Sequence, residues 1–160
     1  MSQKSDVEQK SCSAKNRSGV SKNSNFSDFE KLLERLKTDF KEYYFKAGKR
    51  FAFKPPKTIV VGPDEPRADL LLLHELGHAT LGHKDFKIDA TRLKMESEAW
   101  EKAHELADIY GVNYDEDLAQ SELDTYRDWL HKKSRCPDCG LTRFQDSDGV
   151  YHCPRCENFT

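Results

Sequence analysis

Apolar residues recur at helical spacing through SDFEKLLERLKTDFKEYYF, residues 27–45, where Phe29, Leu32, Leu33, Leu36 and Phe40 share one face. Ser27 and Glu30 form a capping box, so the pattern predicts an amphipathic helix that begins at Ser27 and carries a charged outer face. In RFAFKPPKTIVVG, residues 50–62, β-branched and aromatic residues flank Pro55-Pro56 and predict two short strands, the second being Thr58–Val61. GPDEPRAD, residues 62–69, reads as a turn that opens a helix. That helix contains Leu70–Leu73, and Gly82 is placed to end it. A third helix is predicted over residues 94–110, closed by Gly111, and a fourth through residues 115–133. Residues 1–26 are rich in Ser, Lys and Asn and nearly devoid of large apolar groups, which predicts a disordered tail with Cys12 an incidental thiol. The chain thus divides into that tail, a domain over residues 27–132 and a compact cysteine unit over residues 133–160.

Composition narrows the picture. A chain of 160 residues has room for one ordinary domain and a small appendage. Hydrophobic residues are 36% and charged residues 34%, which predicts a modest core under a heavily charged surface. A net charge of −2 argues against bulk attraction to nucleic acid or to an anionic membrane. The opening residues, MSQKSDVEQK, contain no apolar segment of a secretory signal, and no apolar run approaches the roughly 18–20 residues that span a bilayer. The expectation is a soluble, cytoplasmic protein with no membrane partner. Four of the five cysteines form two Cys-x-x-Cys pairs, which in a reducing compartment points to metal rather than to disulfides.

Inside the leucine-rich helix lies His74-Glu75-Leu76-Gly77-His78. Helical residues four apart lie on one face, so His74 and His78 can aim their imidazoles at a single metal. Glu75 lies beside them and can act on water at that metal without being a ligand, which is the mechanical reason for the spacing in zinc peptidases. Zinc suits two neutral imidazoles and an oxygen donor, with one position left for water. A zinc ion held there would activate water, and Glu75 is then expected as the general base and afterwards as the acid for the leaving amine. Gly77 permits close approach of another backbone or of a substrate. A second oxyanion donor is expected, with His104, Tyr110 and Tyr126 as unranked candidates.

A third protein ligand must come from further along the chain. The candidates are His83, Asp85, Asp89, Glu96, Glu98, Glu101 and Glu105. His83 lies one residue short of the third histidine of H-E-x-x-H-x-x-G-x-x-H, which makes it an outer or surface residue. Asp85 and Asp89 lie in a polar stretch and read as solvated loop carboxylates. In the third helix Met95, Ala99, Trp100, Ala103, Leu106, Ala107 and Tyr110 define an apolar stripe that contains Glu96, whereas Glu98 sits beyond its edge. A carboxylate on a core-facing stripe needs a metal or a cation such as Arg50 or Arg67 beside it. Glu96 is therefore the preferred ligand and Glu98 the alternative.

HELGHATLGH followed by ESEAWEKA resembles the ImmA/IrrE-type zinc metallopeptidases of the gluzincin group. Their pattern is a His-Glu-x-x-His helix followed by a helix of the form Glu-x-x-Ala-x-x-Phe-Ala. The resemblance spans residues 28–112. It implies a small zincin-like α+β fold with a short sheet beside the active-site helix. It also implies His74, His78 and Glu96 as zinc ligands and Glu75 as the catalytic acid and base. Family members are often phage, mobile-element or stress regulators, which implies a protein substrate such as a transcriptional repressor. Lys102 stands where the family usually has Phe, and HELADIYG replaces its usual Leu-Leu-Met-Pro continuation. A SprT-like metallopeptidase also joins His-Glu-x-x-His to a terminal zinc unit, but its third histidine lies further downstream than His83.

CPDCGLTRFQDSDGVYHCPRC places Cys136, Cys139, Cys153 and Cys156 as two knuckles around a hairpin with Asp148-Gly149 at its turn. Four thiolates complete a tetrahedral zinc site, so a structural zinc ribbon is expected. A unit this small draws much of its folding free energy from the metal. Residues 127–160 carry six Lys/Arg against five Asp/Glu, so the ribbon lacks the basic stripe that nucleic acid requires and is better suited to protein contact. Phe144 and Tyr151 either pack the ribbon or serve as contacts. Two other readings stand beside the peptidase: a non-catalytic regulator whose ribbon binds protein or nucleic acid, and hydrolysis of a non-peptide bond.

Overall fold

The computed structural model describes residues 22–62 and 67–156. The disorder expected of residues 1–26 lies outside the described residues as far as residue 21, Cys12 included. The first helix, α1, spans Lys22–Asp39. It starts ahead of the capping box, so Ser27 lies within the helix rather than at its start. It also stops short of the expected end. Beyond its end, Tyr44–Ala47 forms strand β1, whose backbone pairs in parallel with Thr58–Val61.

Strands β2, Ala52–Lys54, and β3, Thr58–Val61, follow on the two sides of the proline pair. The sheet order is β1-β3-β2, with β1 parallel and β2 antiparallel to the central β3. Burial alternates along β3, where Ile59 and Val61 turn into the core as period-two patterning requires.

Helix α2, Ala68–Thr80, is the centre of the molecule. Leu70, Leu72, Leu73 and Leu76 are all fully buried. Burial of each such side chain contributes roughly 1.5–3 kcal/mol. Helix α3, Asp89–Tyr110, packs along α2, while β2 and β3 flank it on the sheet side. The α3 stripe faces inward with Ala99, Trp100, Ala103, Leu106 and Ala107 buried. Gly111, at φ 71°, ends α3 and lets the Val112 N–H reach the Ala107 carbonyl. Helix α4, Glu116–Ser134, opens on Asp115, whose carboxylate accepts from the Leu118 N–H at 3.0 Å. Arg67, at the start of α2, donates to the same carboxylate at 2.9 Å.

The cysteine unit follows α4 directly. Strands β4, Phe144–Gln145, and β5, Tyr151–His152, pair antiparallel, and Gly149 takes φ 86° at the turn. One expectation is overturned where this unit meets the rest. Asp89 is not a solvated loop carboxylate: it is 3% exposed at the first residue of α3. Its carboxylate accepts from Lys133 Nζ at 2.8 Å and from the Tyr151 hydroxyl at 2.8 Å, and its own N–H donates to Gln145 at 2.7 Å. Sequence periodicity missed it because its partners lie more than 40 residues away, in α4 and the hairpin. Among the described residues the result is a mixed α+β arrangement of four helices, a three-stranded sheet and a two-stranded hairpin with clustered cysteines. Among the described residues no helix is long and apolar enough to cross a membrane.

Candidate metal centre

His74 and His78 stand one turn apart on α2, and their rings meet edge to face with centroids 4.7 Å apart. Their Nε2 atoms are 3.1 Å apart. Glu96 reaches across from α3 and brings Oε2 to 3.4 Å from His74 Nε2 and 3.3 Å from His78 Nε2. The three side chains are nearly buried, at 9%, 12% and 10% exposure. Two imidazole nitrogens and a carboxylate oxygen thus form a small, nearly equilateral triangle. A tetrahedral ion with bonds of about 2.0–2.1 Å holds its ligand atoms about 3.3 Å apart. The triangle has that size, so the group can hold a metal ion and is compatible with zinc.

The close helix crossing that brings Glu96 in depends on Gly77. A Cβ at that position would lie 2.6 Å from the Ala99 carbonyl oxygen, so the backbone approached here belongs to α3. The buried Trp100 ring lies tilted at 31° against the His74 ring, with centroids 4.3 Å apart. Burial lowers the basicity of His74, so the imidazole is held in the neutral form that a metal needs. Burial opposes ionisation of Glu96, but its contacts with His74 and His78 outweigh that and bring the carboxyl down to about 2. Arg67 is not its partner, since it pairs with Asp69 and Asp115.

The site opens into a cleft of about 450 Å³, lined among others by Phe51, Phe53, Glu75, Arg92 and Tyr126. Glu75 presents its carboxylate here, and Oε2 accepts the Phe53 N–H of β2 at 2.5 Å. That N–H points away from β3 and toward α2. His83 stays out of the triangle and faces the other side of His78, with the Nδ1 atoms 2.8 Å apart. Glu98 also stays out: its side chain is 39% exposed and contacts His83 and Lys94.

The three candidate oxyanion donors separate cleanly. Tyr126 lines the cleft. His104 is exposed and stacks on Tyr114, and the Tyr110 hydroxyl donates to Asp39 at 2.7 Å. Burial, with the Glu96 carboxylate beside it, raises the Tyr126 phenol and keeps it protonated. The sequence reading missed Arg92, which lines the cleft beneath the rings of Phe86, Tyr126 and Trp129 at 5.4, 4.9 and 5.2 Å. Its Nε is 4.0 Å from Glu96 Oε1. The signal was present, because a residue four before Glu96 shares its helix face.

Cys136, Cys139, Cys153 and Cys156 form the second group. Sγ of Cys136 lies 3.8 Å from that of Cys156, and Sγ of Cys139 lies 3.5 Å from that of Cys153. Bonds of about 2.3 Å from a tetrahedral ion to sulfur place the sulfurs about 3.8 Å apart, so this group also can hold a metal ion. The backbone N–H groups of Cys156 and Arg155 hold the Cys153 thiol down at about 6. The Cys139 and Cys153 sulfurs push Cys156 up to about 12, as in a cluster that ionises stepwise. The aromatic pair divides: Phe144 is 59% exposed and stacks on His152, whereas Tyr151 turns inward to Asp89.

Compared with family models, curated proteins and solved structures, the chain gives no match. A functional reading therefore rests on the chemistry and placement of its own residues.

Proposed function

We propose that this chain is a zinc-dependent metallopeptidase of the ImmA/IrrE-like, zincin-fold kind, with a C-terminal zinc ribbon that braces the domain. The observation that carries the reading is the triangle of His74 Nε2, His78 Nε2 and Glu96 Oε2, with sides of 3.1–3.4 Å, sharing one cleft with Glu75. Zinc bound there supplies Lewis acidity toward water and toward a peptide carbonyl.

The chain's own residues supply the rest. Glu75 takes the proton of the attacking water at its carboxylate and returns it to the leaving amine. The Phe53 N–H steadies that carboxylate, so little reorientation is needed before proton transfer. Tyr126, kept protonated, donates a hydrogen bond to the oxygen on which charge develops. Strand β2 is the edge of the sheet nearest the cleft, so an extended peptide can lie beside it, with the Phe53 N–H kept for Glu75 rather than for a ladder bond. On this reading an extended peptide is the substrate expected in the groove. The ribbon, anchored to Asp89, presents exposed Leu141, Phe144 and Val150 and suits protein contact.

The test is incubation of the zinc-loaded protein with candidate repressors encoded beside it. Cleavage is expected, with its loss on chelation and in Glu75→Gln while that variant keeps its zinc. Full hydrolysis by Glu75→Gln overturns the mechanism, and binding of a partner without cleavage favours the non-catalytic regulator.

A further inference from the structure

The two imidazoles of the metal triangle are supported unequally. His74 turns its Nδ1 toward the core, where it is buried without a hydrogen-bond partner. His78 turns its Nδ1 to His83. Those atoms are 2.8 Å apart, the rings cross at 68°, and the His83 side chain is only 10% exposed. Beyond His83, its Nε2 lies 3.5 Å from Glu98 Oε2, and Lys94 Nζ holds the other Glu98 oxygen at 3.5 Å.

The backbone places His83 there. After α2 the Gly82 N–H bonds to the Ala79 carbonyl and the His83 N–H to the His78 carbonyl, with Gly82 at φ 67°. This is the paired bonding of a Schellman cap, and it folds the chain back over the last helical turn. His83 is therefore tied to His78 twice, by backbone and by side chain.

Proton bookkeeping fixes a direction along this chain of contacts. A His78 that offers the Nε2 lone pair to a metal carries its proton on Nδ1. That proton donates to His83 Nδ1, so His83 carries its own on Nε2, facing the Glu98 carboxylate. Such outer partners orient a ligating imidazole and raise its donor strength. We propose that His83 and Glu98 are positioning residues of the metal centre, locking His78 as an Nε2 ligand through a Glu98–His83–His78 relay. The proposal rests on the zinc reading of the triangle and does not depend on what the enzyme cleaves.

The experiment is a zinc competition titration of the full chain against a chromophoric chelator, with the triangle's equivalent identified by its loss in His78→Ala. His83→Phe keeps a planar ring without the acceptor and is expected to weaken that equivalent by about 10–100-fold. Glu98→Gln is expected to weaken it in the same sense, by less. His83→Asn, whose amide oxygen can accept from Nδ1–H, is expected to recover most of the loss. Cobalt in the same site should show a shifted ligand-field spectrum in His83→Phe and a near-native one in His83→Asn. Wild-type protein with no equivalent lost in His78→Ala overturns the zinc reading and the relay together. An equivalent that His83→Phe and Glu98→Gln bind as tightly as wild type overturns the relay alone. Equal losses in His83→Asn and His83→Phe, with matching drops in the melting temperature of the metal-free chain, also overturn it, since packing then explains the effect.

Discussion

The backbone of Gly77 lies against the carbonyl of Ala99, with room for a hydrogen and none for a methyl group: a Cβ would sit 2.6 Å from that oxygen. The contact couples the candidate metal centre to the packing of the core. Gly77 precedes His78 on α2, and Ala99 lies one turn after Glu96 on α3. The distance between these helices sets the distance between imidazoles and carboxylate.

Gly77→Ala should therefore destabilise the fold and weaken metal binding together. Overpacking of this kind costs about 1–3 kcal/mol. The checks are the urea midpoint of the metal-free chain and the zinc affinity of the triangle. A stable variant with native zinc affinity would show that the helices separate at no cost to the site.

On the proposed peptidase reading, Tyr126→Phe should leave zinc content unchanged and lower kcat by about a hundredfold, the scale on which one oxyanion donor acts. KM should move little, since the hydrogen bond is made as charge develops. The equivalent change at Tyr110, bonded to Asp39 away from the cleft, should leave kcat near the wild-type value.

Asp89→Ala should loosen the cysteine unit from α3. It removes the acceptor of the Tyr151 hydroxyl and the partner of Lys133, and leaving a buried polar group unsatisfied costs about 1–3 kcal/mol. Hydrogen exchange should speed up in β5 and at the start of α3, with the centre of α2 unaffected. Unchanged exchange at β5 would mean that other contacts hold the unit in place.

Alkaline pH should act most strongly through two phenols. Burial and the adjoining Asp39 push Tyr110 up to about 12, and burial and Asp89 do the same to Tyr151. Their ordinary value is 10.0. A folded-state pKa above the unfolded one means that the protonated phenols add stability that is complete below about pH 10. It is lost as the pH climbs from about 10 to about 12. Denaturation midpoints measured by circular dichroism across that window should fall, and fall less when both residues are replaced by Phe. Equal slopes in the two proteins would remove these tyrosines as the cause.

Local pattern carried far. The alternation in Thr58–Val61, the apolar run of α2, the inward stripe of α3 and the glycine that closes it are all periodic or capping signals, and each is visible within a few residues. The errors cluster where a local preference met a distant partner. Tyr44 and Phe45 continue a helical pattern on paper, yet β3 draws them into a sheet. Asp89 looks solvated until α4 and the hairpin fold over it.

By itself the sequence determined that His74 and His78 share a helix face, that Glu96 points inward from the next helix, and that four cysteines stand in two knuckles. Those follow from a 3.6-residue repeat, from the cost of burying a carboxylate and from short chain spacing. Only the tertiary structure decided that Glu96 reaches both imidazoles, that Tyr126 rather than His104 or Tyr110 faces the cleft, that the Phe53 N–H meets Glu75, and that His83 backs His78. Each of these depends on how closely two separately formed elements approach, and packing across the whole core sets that distance.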